Sequence, residues 1–282
     1  MTSVKQSYRA CRRITARASS TFYLASLLFD GDTRRDIQVL YAFCRVADDI
    51  ADDAQATDMD KRSRLREMKR ALDTLQPVST ASAIWPAFFE VMRRHRLPKA
   101  ELIDVLRGVA SDIRFRQPQS LDELDRYSYY VAGVVGILSA RVLGAHKKTT
   151  FTGAKQLGIA MQYTNIIRDV AADYRLGRVY IPKGLMQDCG VTRAMLAASQ
   201  PSPELVEALK RMGERAERYY SEGEASIADL HPTYQRPVQV ATALYHGVLE
   251  RAKQKRYTVL DGRIRLNRRD KLAVVLSAYR GR

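Results

Sequence analysis

Apolar residues along the chain recur mostly every three or four positions, which is the spacing of helices with one buried face. Alternating Val, Ile and Thr runs between Asn-Gly or Asp-Gly turns, which would indicate hairpins, are nearly absent. Prolines separate the periodic segments into helices of ordinary length. No Gly/Ser-rich linker divides the chain. The pattern therefore predicts an all-α protein in which residues 1–282 form a single domain.

One long helix is predicted over Thr33 to Ala54. Asp32 precedes it and is expected to cap it, because a carboxylate there accepts free N–H groups of the first turn. Its buried face is predicted from helically spaced apolar positions, which are Ile37, Leu40, Tyr41 and Cys44.

The other helices are predicted from the same spacing and from capping residues. Ser120 is expected to begin one, with Glu123 in the position of a capping box. A long apolar segment follows and is predicted to be a buried helix, since it is too short to span a bilayer. The remaining predicted helical ranges are Arg62 to Leu75, Tyr129 to Ala145 for the apolar segment, Thr152 to Asp173, and Pro203 to the C-terminus with a break near Asp261-Gly262.

Two acidic clusters lie far apart on predicted helices. The first is DDIADD at 48–53, and the second is NIIRDVAAD at 165–173. Each repeats an aspartate at i and i+4, which places two carboxylates about 5 to 6 Å apart on one helix face. The stacked residues are Asp48 with Asp52, Asp49 with Asp53, and the row Asn165, Asp169 and Asp173, which Gln162 extends.

Stacked carboxylates repel each other unless a cation lies between them. Mg²⁺ is commonly held by one or two carboxylates together with water and substrate phosphate. The plainer interpretation is a pair of solvent-exposed acidic helix ends, which would be favoured for a single Asp-x-x-x-Asp. The repetition of the motif beside apolar neighbours such as Leu40 and Ile167 favours metal binding.

The chain is strongly basic, with 47 Lys and Arg against 31 Asp and Glu and a formal net charge of +16. Such an excess attracts phosphorylated substrates, anionic membranes or nucleic acids. Nucleic-acid binding is disfavoured because the basic residues are spread throughout and no binding signature accompanies them. Three scattered cysteines and an N-terminus without a signal-peptide core predict a cytoplasmic protein.

Five segments in order resemble the signatures of the phytoene/squalene synthase family of head-to-head prenyltransferases. The two acidic ones are YAFCRVADDIADD and QYTNIIRDVAADYRLGRVYIP; the others are SSTFYLASLLF, YSYYVAGVVG and RYTVLDGRIRLNRRDKL. The resemblance extends from about Ser19 to Leu272, nearly the whole chain. One departure is Ala172, where the family usually has an acidic residue.

The resemblance implies an isoprenoid-synthase helical bundle around a deep central cavity. It implies Mg²⁺, with Mn²⁺ as the alternative, held between the acidic helices to bind diphosphate. The metal ligands implied by motif position are Asp48, Asp52, Asn165, Asp169 and Asp173, whose aspartates also count as catalytic. The implied substrate-binding residues are Ser19, Thr21, Phe22, Tyr41, Arg45, Gln162, Arg178 and Arg265.

Aromatic and small residues gain a role from the same resemblance. Tyr129 and Tyr245 match family tyrosines near the reaction centre, where a π face can stabilise a cation. Ala132 and Gly136, with Gly133 between them, leave a helix face almost without side chains. This face allows either close helix packing or room for a long hydrocarbon chain.

The reaction implied is condensation of two geranylgeranyl diphosphates through a cyclopropylcarbinyl diphosphate to phytoene, without NADPH. One alternative uses farnesyl diphosphate and gives presqualene diphosphate, dehydrosqualene or squalene; another is a non-catalytic binding or assembly protein. The basic charge favours peripheral attachment to the inner face of an anionic membrane through Arg9 to Arg17. Downstream isoprenoid enzymes stay open as further partners.

Overall fold

The computed structural model of the protein describes residues 2–262 and 264–280, so Arg263 of the C-terminal motif lies outside the described residues. Within these ranges the chain forms helices joined by turns and contains no strand. The α-helices are α1 (Val4–Ala18), α2 (Ser20–Ser26), α3 (Gly31–Asp52), α4 (Asp58–Thr74), α5 (Trp85–Arg94), α6 (Lys99–Ser111), α7 (Leu121–Ser128), α8 (Val134–Val142), α9 (Lys148–Arg175), α10 (Lys183–Cys189), α11 (Arg193–Leu196), α12 (Pro203–Glu224), α13 (Pro232–Gln254) and α14 (Arg268–Arg280). The prediction of an all-α protein is confirmed.

The predicted cap of α3 is wrong by two residues. Asp30, and not Asp32, accepts the backbone N–H groups of Asp32 and Thr33, at 3.1 and 3.0 Å. The helix therefore begins at Gly31, which places Asp32 inside its first turn. The predicted stripe does face inward: Ile37 and Leu40 are buried, and Tyr41 and Cys44 line the central cavity.

Two other predicted boundaries differ in detail. Ser120 caps α7 as expected, but the Glu123 carboxylate accepts the N–H of Gln119 at 2.8 Å and does not complete a capping box. The apolar segment is not one α-helix, since a π-helical turn at Tyr129–Gly133 precedes α8. The predicted C-terminal break is confirmed at Gly262, whose φ of +125° few residues other than glycine adopt.

Helix α9 passes through the middle of the molecule and packs against α8, α12 and α13. It approaches α8 and the π-helical turn closely. A Cβ added to Gly136 would lie 2.1 Å from the Ala154 carbonyl oxygen, and one added to Gly158 would lie 2.3 Å from that of Ala132. Close packing is thus the role of these small residues, although Ala132 and Gly136 also border the cavity.

A deep cavity of about 1060 Å³ lies between α2, α3, α8, α9 and α13. Helix α9 lines it from Thr150 to Asp173, which corresponds to about 34 Å at a rise of about 1.5 Å per residue. Helix α3 lines it from Ile37 to Asp52. One end of the cavity therefore receives the C-terminal ends of both acidic helices.

Candidate active site

The two acidic clusters meet at one end of the cavity. Asp48 and Asp52 project into it from α3, and Asp169 and Asp173 project from α9. A loop residue joins the two helices, since the Arg178 guanidinium donates to Asp52 Oδ1 at 2.7 Å. The i, i+4 spacing predicted one carboxylate face on each helix, and the fold places these faces in a common cavity.

The parallel pair formed by Asp49 and Asp53 does not line the cavity. Asp49 forms an ion pair with Arg45 on the same helix. Asp53 accepts a hydrogen bond from Arg64 of α4 at 2.8 Å. Successive residues of a helix point about 100° apart, so adjacent aspartates cannot share one face. Only the Asp48 and Asp52 pair therefore faces the cavity.

Burial and mutual repulsion raise the pKa of two of the inward carboxyls, Asp48 and Asp173. Burial raises the pKa of Asp48 to about 7, against the attraction of Arg45 and with help from Asp52 and Asp112. Burial likewise raises the pKa of Asp173 to about 7, with repulsion from Asp169 as the next cause. The ionised carboxylates of Asp48 and Asp173 therefore have too little positive charge around them in the protein alone. A divalent cation bound there would supply it.

A third acidic group, Asp112, was not found from the sequence. Its carboxylate accepts hydrogen bonds from the Tyr127 and Tyr180 hydroxyls, both at 2.9 Å. Burial raises its pKa to about 6, against the attraction of Arg178 and the two tyrosine hydrogen bonds. Asp112 directly follows α6 and has no acidic partner at helical spacing, so no sequence signal distinguished it.

Basic side chains surround the acidic end. Arg168 Nε donates to Asp169 at 2.9 Å, and the same guanidinium makes a second contact with that carboxylate. Arg168 also lines the cavity but was not among the predicted residues. Arg45, Arg178 and Arg265 were predicted, and all three line it. The cavity therefore offers arginines beside each acidic helix.

The N-terminal motif forms the wall opposite α9. The Ser19 hydroxyl caps α2 by accepting the N–H of Phe22 at 3.1 Å. The Phe22 ring stacks on Tyr41 with centroids 4.3 Å apart. Burial raises the pKa of Tyr245, which lies on α13 and faces the cavity. Aromatic surfaces and hydroxyl groups thus lie next to the acidic end.

Tyr129 is the one predicted site residue that does not line the cavity. Its ring lies against Tyr130, with centroids 5.2 Å apart. Tyr127 lines the cavity instead, and residues two apart on a helix point about 200° apart. The catalytic role expected for Tyr129 stays a prediction, which the cavity lining does not support. The predicted residues that do line the cavity are Ser19, Thr21, Phe22, Tyr41, Arg45, Asp48, Asp52, Gln162, Asn165, Asp169, Asp173, Arg178, Tyr245 and Arg265.

Another cluster of possible metal ligands, outside the cavity lining, consists of Glu217, His246 and Glu250. Their ligand atoms lie within 4.8 Å of one another. The Lys253 ammonium already bonds to both glutamates, 2.7 Å from Glu250. This lysine supplies the positive charge that a metal would bring, so the cluster is a satisfied ion-pair network.

The helical fold and the paired acidic helices around an apolar cavity define an isoprenoid-synthase type of protein. Residues 15–270 match the squalene/phytoene synthase family. The chain belongs to that family, and it is an enzyme of the prenyltransferase type.

Two bacterial relatives show the likeness in sequence. A 15-cis-phytoene synthase of Paracoccus sp. (strain N81106 / MBIC 01143) is 35% identical over 82% of this chain and 77% of its own length. One of Pantoea ananas is 33% identical over 93% of this chain and 88% of its own length.

Solved structures show the likeness in fold. A dehydrosqualene synthase, crystallised in complex with ligand, gives a TM-score of 0.90 at 28% identity and covers 98% of this chain and 96% of that chain. A squalene synthase of Alicyclobacillus acidocaldarius gives 0.80 at 21% identity over 90% of this chain and 96% of that chain, a likeness of fold alone.

Proposed function

We propose that the protein condenses two geranylgeranyl diphosphates head to head to give phytoene. The observation that carries the proposal is the cavity in which two acidic helices meet at one end of a long, largely apolar chamber. Diphosphate groups belong at the acidic end, and hydrocarbon chains belong in the remainder. Similarity to proteins named 15-cis-phytoene synthase supports the same substrate.

The acidic end supplies the binding of the leaving groups. Mg²⁺, with Mn²⁺ as the alternative, would be held by Asp48, Asp52, Asn165, Asp169 and Asp173 and would neutralise diphosphate charge when bound. The donor set fits, because all five residues border the cavity and offer hard oxygen ligands. Ala172 is exposed, so the acidic residue missing there would not have joined this inward row.

The basic residues are proposed to hold the diphosphates from the other side. Arg178 and Arg45 lie beside the acidic helices, and Arg265 also lines the cavity. Guanidinium groups suit phosphate because they donate two parallel hydrogen bonds. Departure of each diphosphate takes the electron pair of its C–O bond, and positive charge on these side chains stabilises that departure.

The chemistry then proceeds in two ionisations. Loss of the first diphosphate leaves an allylic cation, whose C1 bonds to the double bond of the second substrate; loss of a proton closes a cyclopropylcarbinyl diphosphate. Loss of the second diphosphate and rearrangement give a cation that releases another proton to form phytoene. No reductant enters this balance. Apolar walls exclude water from each cation, and the rings of Tyr41 and Tyr245 face the same space.

The cavity is long enough for the twenty-carbon substrate. From Asp169 to Thr150, α9 lines about 28 Å of it, at about 1.5 Å per residue. Four carbon–carbon bonds of about 1.5 Å advance an extended chain by about 5 Å per isoprene unit, so four units need about 20 Å. The diphosphate and the Mg²⁺ between it and the aspartates would occupy most of the remaining length of about 8 Å, so the end of the twenty-carbon chain would lie near Thr150.

The second candidate is condensation of farnesyl diphosphate, which the likeness to a dehydrosqualene synthase favours. Incubation with each diphosphate, with Mg²⁺ and with or without NADPH, followed by mass spectrometry of the hydrocarbons, separates the two. A forty-carbon product formed without NADPH supports the proposal. A thirty-carbon product as the preferred outcome contradicts it, and no head-to-head product at all indicates a non-catalytic family member.

We also propose peripheral attachment to an anionic membrane on the side of the cavity lined by Arg17, Ser20, Arg268 and Lys271. The exposed face of α1 is basic, and Leu272 and Leu276 project from α14 with 58% and 42% of their surfaces exposed. Basic and apolar groups side by side suit an anionic lipid surface. None of the helices in the described ranges has the length and apolar run needed to span a bilayer.

A further inference from the structure

The end of the cavity opposite the aspartates is closed by buried side chains. Helix α9 contributes Thr150 there, and neighbouring elements contribute Phe29, Leu143, Ile227 and Leu230. Each of these side chains has less than a tenth of its surface exposed. A hydrocarbon chain that extends from the acidic end along α9 therefore meets a wall at this point.

This wall is fixed in place by polar contacts behind it. Asp229 ends the short 3₁₀ helix Ala225–Asp229 and accepts hydrogen bonds from Lys147 and Thr149, at 2.8 and 2.6 Å. In the same short helix, the Ser226 hydroxyl donates to the Gly223 carbonyl at 2.8 Å. The start of α9 is thus tied to the 3₁₀ helix, and the closed end is held in place.

Packing of the helices does not explain why residue 150 is a threonine. It is 2% exposed, and its hydroxyl has no hydrogen-bond partner within the described residues. A buried hydroxyl without a partner is unfavourable, so packing stability alone would favour valine. Several other side chains that border the cavity from α8, α9 and the 3₁₀ helix are also small: Ser139, Ala140, Ala154 and Ser226. Small size, which leaves the last part of the cavity open, is the property these residues share.

We infer that Thr150 on α9 and Ser139 on α8 set the length of prenyl chain that the enzyme accepts. This inference rests on the proposed function. A side chain larger by a phenyl ring at either position would occupy the space needed by the last isoprene unit of the twenty-carbon chain. The fifteen-carbon chain, about 5 Å shorter, would still fit.

The test compares Thr150→Phe with Thr150→Val as its matched control. For each variant, kcat/KM is measured with geranylgeranyl and farnesyl diphosphate in the presence of Mg²⁺. Thr150→Phe should lower the preference for the longer substrate by about tenfold or more, which is the discrimination that small differences in pocket volume produce. Thr150→Val has almost the same shape as the native residue and should leave the preference unchanged.

Ser139→Phe gives a second route to the same answer from the facing helix. It should shift the preference in the same direction, with circular dichroism showing that the helices are intact. An unchanged preference in a folded Phe variant, or an equal loss with both substrates, would overturn the inference. If the wild-type protein forms no head-to-head product from either diphosphate, the proposed function itself has failed.

Discussion

Arg178 and Asp52 form an ion pair of 2.7 Å that links the loop after α9 to the C-terminal end of α3. The arginine is largely buried, with 14% of its side chain exposed, whereas 40% of the aspartate side chain is exposed. The contact therefore bridges the two acidic helices. Diphosphate and metal would compete for both partners, so this pair is expected to rearrange when substrate binds.

Removal of one inward carboxylate should abolish most of the activity. Asp48→Asn and Asp169→Asn are each expected to lower kcat/KM by roughly 100-fold or more, because each removes a carboxylate proposed to bind the Mg²⁺ that would hold the leaving group. Asp53→Asn is the matched control, since Asp53 pairs with Arg64 outside the cavity. Steady-state kinetics with Mg²⁺ measures all three variants. Near-normal rates in the Asp48 variant would contradict the ligand assignment.

Thermal unfolding of the metal-free protein should depend on pH through the same carboxyls. The folded-state pKa of Asp48 and of Asp173 is raised to about 7. Their contribution to stability is therefore fully present below the unfolded value and is lost as pH rises through 7. In EDTA, the difference in Tm between Asp48→Asn and the wild type should therefore be more positive at pH 8 than at pH 5.5. A constant difference in Tm at both pH values would show that Asp48 is not perturbed.

Metal binding should show the opposite pH dependence. Protons compete for the carboxylates of Asp48 and Asp173 below their pKa of about 7, so the Mg²⁺ concentration for half-maximal activity should rise as pH falls from 8 to 6. Addition of Mg²⁺ should raise Tm more at pH 8 than at pH 6. Equal Mg²⁺ requirements at the two pH values would argue against these ligands.

Tyr127 and Tyr129 provide a matched pair of variants. Tyr127→Phe removes a hydrogen bond to the Asp112 carboxylate, and we expect a loss of about tenfold in kcat/KM, as for other groups that orient ligands. Tyr129→Phe should leave kcat/KM unchanged because that ring does not line the cavity. Steady-state kinetics of both variants tests this expectation. A larger loss of kcat/KM for Tyr129→Phe than for Tyr127→Phe would reverse the assignment.

Attachment to membranes can be tested by sedimentation with vesicles. The wild type should bind vesicles that contain phosphatidylserine more strongly than neutral ones, and salt should weaken this binding. A double variant, Leu272→Ser with Leu276→Ser, should bind less, while Met59→Ser on the exposed face of α4 serves as a control. Equally weak binding to both kinds of vesicle would contradict the proposed membrane attachment.

Helical periodicity predicted the fold class and i, i+4 spacing predicted the two aspartate faces, because both are local properties. The other predicted site residues came from the family resemblance, and all of them except Tyr129 line the cavity. Spacing alone could not choose between the two overlapping aspartate pairs of α3, since the rotation of a helix about its axis depends on tertiary packing; the family resemblance selected Asp48 and Asp52. Asp112 was missed for a related reason: its tyrosine partners come from distant segments. The prediction that residues 1–282 form one domain remains a prediction.

The contacts of Gly136 and Gly158 with facing carbonyl groups leave α8 and α9 no freedom to move closer together. A wall made by two touching backbones has a fixed position, so the chamber cannot be narrowed by sliding one helix toward the other. A change of substrate would then require changes in individual side chains that project into the cavity, because the backbone walls of α8 and α9 stay in place.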